Sequence, residues 1–123
     1  MSASTSKSFE RKFIIKRNDT LPVLVCKVKV RGCLDEVLPL NLTTMTACTF
    51  SMKDDCGNLT ISSNVADIVS NYGVIQYDWK QGDTCTSGRY TGEFELFFSG
   101  GTKLSIPQIG GINIEIVDDI NET

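Results

Sequence analysis

The chain has no histidine, and that absence removes more chemistry than any residue present supplies. Without an imidazole, the Ser-His and Cys-His pairs that activate most protein nucleophiles cannot form, and zinc loses its usual nitrogen ligand. A lysine base remains conceivable, yet no serine stands in a G-x-S-x-G elbow. The five cysteines, Cys26, Cys33, Cys48, Cys56 and Cys85, are odd in number and include no C-x-x-C pair. They read as free thiols, with a Cys26 to Cys48 cross-sheet bridge as the alternative in an oxidising medium. Phosphate loops are missing as well: Gly100 and Gly101 lack a following Lys-Ser/Thr, and Gly110 and Gly111 precede a strand instead of a helix. The reading assigns no catalytic residue, no metal and no cofactor, and expects the chain not to be an enzyme.

Long apolar runs are also absent. No stretch approaches the ~20 apolar residues of a membrane span, and "MSASTSKSFERKF" offers no signal-peptide core. The expectation is a protein made and kept in cytosol with no membrane partner, in which the sequons at Asn18, Asn41, Asn58 and Asn121 arise by chance. A net charge of -3 gives no general attraction to polyanions, so nucleic acid is not expected as a partner. The basic residues Arg11, Lys12, Lys16 and Arg17, then Lys27, Lys29 and Arg31, alternate with apolar ones, as the solvated face of a strand pair does.

What remains is a strand pattern. The 123 residues fit one domain with a real core. Residues 1–8 are small and polar and read as a flexible arm, residues 9–118 as the domain and residues 119–123 as a tail. "KFIIKR" and "LPVLVCKVKVRG" read as the first strands, the second placing Leu24, Cys26, Val28 and Val30 on one face. "DEVLPLNLTT" crosses to "MTACTFSMKD", where Cys48, Phe50 and Met52 share a face, and "DDCGN" turns into "LTIS". "NVADIVSNYG" alone looks mildly helical, enough for one short turn. Ile75, Tyr77 and Trp79, then Tyr90, Phe94, Leu96 and Phe98, then Ile112, Ile114 and Ile116 give three matching apolar faces, and "SGG" supplies a tight hairpin. Seven or eight short strands at this spacing predict an all-β, immunoglobulin-like two-sheet sandwich. Its core is expected to hold Leu24, Cys26, Val28, Phe50, Met52, Ile75, Trp79, Tyr90, Phe94, Leu96, Ile112 and Ile114.

The stretch "DWKQGDTCTSGRY" admits two readings. Trp79 beside a polar loop suits a sugar-stacking platform. The parity of Tyr77 and Trp79 with Ile75 favours core, and "GRY" favours a tyrosine corner whose hydroxyl bonds back to upstream main chain. In the corner reading Gly82 and Gly88 give backbone freedom, and Asp83 and Thr84 bond local amides. Two acidic pairs are explained without catalysis: Asp54 and Asp55 sit in a turn that favours Asp, Gly and Asn, and Glu93 and Glu95 share the solvent face of a strand. An uncharged strand such as "LTISS" lacks the charges that block edge pairing.

The stretch "GVIQYDWKQGDTCTSGRYTGEFELFFSGGTKLSIPQIGGINIEI" resembles a bacteriophage family, the immunoglobulin-like N-terminal domain of baseplate upper proteins and related small tail proteins. The residues that match in order are Tyr77, Trp79, Gly82, Asp83, Thr84, Gly88, Tyr90, Glu93, Phe94, Glu95 and Pro107. Upstream, "RNDTLP" is similar to the family's G-D-T-x-P, and "LNLTTMTACTFSMKDDCG" to another of its motifs, with Asn18 and Thr44 standing where the family has glycine. The resemblance implies a virion structural protein in tail, baseplate or fibre, working through contacts with other virion proteins and with copies of itself. It also implies a place in the virion after synthesis in the host cytoplasm. Capsid or neck decoration and carbohydrate binding to host-surface glycans stand as alternatives.

Overall fold

The computed structural model describes residues 12–107, 110–118 and 120. The expected arm, residues 1–8, and all but one residue of the expected tail lie outside them.

Among the described residues every regular element is a strand. In chain order they are β1 (Lys12–Lys16), β2 (Leu24–Lys27), β3 (Lys29–Arg31), β4 (Val37–Pro39), β5 (Met45–Asp54) and β6 (Leu59–Val65). Then come β7 (Asp67–Ser70), β8 (Val74–Tyr77), β9 (Gly88–Phe98), β10 (Lys103–Ile106) and β11 (Ile112–Val117). The larger sheet runs β1-β11-β9-β5-β6, with β10 also paired to β9. Strand β1 lies parallel to β11, and the other pairs of this sheet are antiparallel. The second sheet runs β2-β8-β7, and β3 with β4 forms a separate two-stranded ribbon.

Alternation puts the apolar set inside. On β5, Cys48, Phe50 and Met52 are buried while their neighbours face outward, and on β9 Tyr90, Gly92, Phe94 and Leu96 do the same. Ile75 and Tyr77 of β8 close on them from the other sheet, with the Phe50 and Tyr77 rings stacked at 4.7 Å between centroids. This is the all-β sandwich that the strand pattern predicts. Ten of the expected core residues are buried, while Cys26 and Ile112 are partly buried against that core. Ile15, Leu42, Cys48, Ile61, Ala66, Tyr77 and Ile116 join them.

Eleven strands stand where seven or eight were expected, because continuous runs change partner midway. At Val28 the chain leaves β8: its N–H donates to the Gly73 carbonyl at 2.7 Å and its carbonyl accepts from Leu40 at 3.0 Å. Beyond it Val30 pairs with Leu38 in the ribbon and is exposed, not in line with the core. Gly73 is needed at that crossing, since a Cβ there would meet the Val28 carbonyl oxygen at 2.4 Å. At Ala66 the chain passes from the larger sheet to the second, and "DIVS" is strand β7 where a helical turn was expected. Its Asp67, Ile68 and Ser70 pair with β8, and the branched Ile68 and Val69 suit that pairing better than a helix.

Candidate functional site

The loop between β8 and β9 is assembled from hydrogen bonds that reach far along the chain. The Tyr77 hydroxyl, wholly buried, donates to Asp83 Oδ2 at 2.5 Å and accepts from Asn64 Nδ2 at 3.0 Å. Asp83 Oδ2 also accepts the Lys80 amide at 2.8 Å. Burial pushes the Tyr77 phenol well above its ordinary value, and the Asp83 carboxylate adds to that. Thr84, the one buried polar residue among those described, donates through Oγ1 to the Asp19 carbonyl at 2.8 Å, while its own carbonyl accepts from Asn18 N at 2.9 Å. Asn18 adopts φ 70°, a conformation that asparagine tolerates. Thr84 thus ties this loop to the β1–β2 connection and bonds no local amide.

The Tyr90 hydroxyl donates to the Thr86 carbonyl at 2.6 Å, closing the other side of the loop. Gly82 and Gly88 have φ of 93° and 148°, and both are exposed. Trp79 Nε1 donates to the Pro22 carbonyl at 3.1 Å, and its ring packs edge-on against Phe50 and Tyr77. With 4% of its surface exposed, Trp79 presents no face to a sugar ring. Phe94 and Pro107 lie away from the loop: Phe94 is buried in β9 opposite Phe50 and Ile106, and Pro107 follows β10.

A cleft of about 340 Å³ opens beside this loop, where Asp54, Asp83, Cys85 and Tyr90 meet. Its carboxylates are already engaged. Asp54 Oδ1 accepts the Asn58 and Cys56 amides at 2.9 and 3.0 Å, and these bonds, led by that of Asn58, hold the carboxyl below its ordinary value. Asp83 is committed to Tyr77 and Lys80. Among the described residues no group of three or more Cys, Asp or Glu is placed to hold a metal ion.

Some of the remaining acids and bases form surface ion pairs. Glu95 meets Lys103 at 3.5 Å, Lys12 meets Glu115 at 3.0 Å, and Arg31 meets Asp35 at 3.0 Å. All five cysteines are free. Burial, with Asp67 and Cys26 nearby, pushes the Cys48 thiol up to about 12. Asn64, Asp19 and the Pro22 carbonyl are the partners that sequence reasoning did not single out. No local signal marks them, because each acts across a gap in sequence.

No family model and no curated protein matches the chain. Among solved structures it is similar to CopC from Methylosinus trichosporium OB3b, with a TM-score of 0.48 and 14% identity over 91% of this chain and 89% of that one. At that identity and TM-score the likeness says nothing of function. The phage resemblance is corrected: no family model, a phage one included, matches the chain. In the structure Tyr77, Trp79, Asp83, Thr84 and Tyr90 are accounted for by the hydrogen bonds that close this corner. With the resemblance fall the virion structural function, its tail, baseplate, fibre, capsid and neck variants, and the virion localisation with synthesis in host cytoplasm. Host-glycan binding falls with the burial of Trp79.

Proposed function

We propose that this chain is a non-catalytic interaction domain that works as an assembly of its own copies, joined through the β3–β4 ribbon. The observation that carries this is the exposure of the ribbon: all six of its strand residues are exposed. An isolated two-stranded hairpin is marginal in water, and a third layer or strand is what ordinarily stabilises one. Val30 and Leu38 make an exposed apolar cross-strand pair on one face, Val37 lies beside Arg31 on the other, and Leu34 at the tip is 84% exposed. A partner that covers the Val30–Leu38 face takes these side chains out of water.

Charge favours a second copy as the covering surface. The ribbon carries both signs, Lys29 and Arg31 on β3 and Asp35 and Glu36 in the turn to β4. Two copies related by a two-fold axis therefore set the basic strand of one against the acidic turn of the other. The non-catalytic part rests on the loop, where Tyr77, Asp83, Thr84 and Tyr90 are engaged in holding the fold, and on the missing imidazole.

Size-exclusion chromatography with light scattering tests the reading on the wild-type chain and on Val30→Asp and Leu38→Asp. The wild type is expected above the 13.5 kDa monomer mass, increasingly so with concentration, and both variants at the monomer mass with unchanged unfolding. A wild type that stays monomeric up to its solubility limit overturns the proposal.

A further inference from the structure

Strand β6 covers only part of β5. It pairs from Thr49 to Lys53, Ala66 N then donates to the Cys48 carbonyl at 2.8 Å, and the chain departs for the second sheet as β7. Met45 and Ala47 pair with β9 on one side, while on the other no described strand lies beside Met45–Ala47. A strand turns half its backbone N–H and C=O groups toward each edge, so this notch is a place where another chain can pair.

The notch is a groove of about 340 Å³. Its walls include Ala47, Val65 and Ile68, the last two exposed despite their size. Thr49 also lines it, and the Thr49 hydroxyl oxygen is buried with no hydrogen-bond partner among the described residues. Buried hydroxyls are almost always paired, so this one marks an unfilled hydrogen-bonding position in the groove wall. Asp67 is the one formally charged side chain of the lining and makes no ion pair among the described residues.

We propose that this groove binds an extended peptide segment of a partner protein. The segment adds as a strand beside Met45–Ala47, sets small apolar side chains against Val65 and Ile68, and offers a lysine or arginine to Asp67. Strand addition draws affinity from main-chain hydrogen bonds and selectivity from alternate side chains, which matches a bare edge beside an apolar wall with one acid. No ribbon residue lines the groove, so it is independent of self-assembly through β3–β4.

The test titrates the full chain with fluorescein-labelled Thr-Val-Thr-Val-Thr-Lys-Thr, and with the peptide carrying Glu in place of Lys, while amide hydrogen exchange is followed residue by residue. The lysine peptide is expected to bind about tenfold more tightly than the glutamate peptide, the swing of one surface charge pair from attraction to repulsion. The Met45 amide already donates to the Leu42 carbonyl at 3.1 Å, so binding is expected to slow exchange beyond it, at Thr46 and Ala47. Asp67 is exposed, so Asp67→Lys keeps the fold and reverses the preference. Failure of the lysine peptide to bind overturns the proposal, as does equal affinity for the two peptides or binding without protection at Thr46 and Ala47. Protection of these amides that rises with protein concentration in the absence of peptide puts a second copy in the groove and overturns it too.

Discussion

The Tyr77 hydroxyl is held between Asn64 and Asp83, and removing it strands the Asn64 amide and leaves Asp83 Oδ2 with the Lys80 amide alone. Hydrogen bonds to charged groups contribute about 1.5–3 kcal/mol, so Tyr77→Phe is expected to cost that much in urea unfolding with an unchanged m-value. Tyr90→Phe removes a neutral bond to the Thr86 carbonyl and is expected to cost about 0.5–1.5 kcal/mol in the same measurement. The buried groups also set a pH dependence. Cys48 titrates near 12 in the folded chain against an ordinary 9.0, so above 9.0 the unfolded chain loses this proton while the folded chain keeps it. Stability from this group is complete below 9.0 and falls as pH rises toward 12, and Tyr77 acts in the same direction. Urea midpoints on either side of pH 9 are expected to decline on the alkaline side, less steeply in Cys48→Ala.

Strand β9 lies at the centre of the larger sheet, pairing β5 along one edge and β11 and β10 along the other. Gly92 lets it sit close to the core: a Cβ there would meet the Phe50 ring and the Ile114 side chain at 2.8 Å. Gly92→Ala therefore overpacks a filled interior and is expected to cost about 1–3 kcal/mol in urea unfolding. The strands with long alternating runs, β5 from Ala47 on, β9 from Arg89 on and β11, were legible in the sequence, because each keeps one buried face along that run. The breaks at Val28 and Ala66 were not, since a strand that changes sheet keeps the same residue types on both sides of the change. Leu42 was missed for a related reason: its burial depends on its N–H reaching the Asn71 carbonyl at 3.0 Å, a contact local pattern does not record. In the candidate site the corner at Tyr90 could be read from "GRY", whereas the Trp79 and Thr84 partners lie 57 and 65 residues away.

The whole molecule combines a closed corner with two open features, the ribbon and the notch beside β5. The buried polar side chains at its β8–β9 end are hydrogen-bonded, which suits a scaffold, and exposed apolar side chains gather on β3–β4 and along β6 and β7. An assembly through the ribbon also explains how a hairpin with no layer over it keeps its shape: the covering surface comes from a neighbour. Amide hydrogen exchange at Lys29–Arg31 and Val37–Pro39, measured over a range of protein concentrations, tests this most directly. The account predicts protection in the ribbon that grows with concentration and is lost in Leu38→Asp, while the core amides of β5 and β9 remain protected throughout. Ribbon protection that does not change with concentration, or that survives Leu38→Asp, would contradict it.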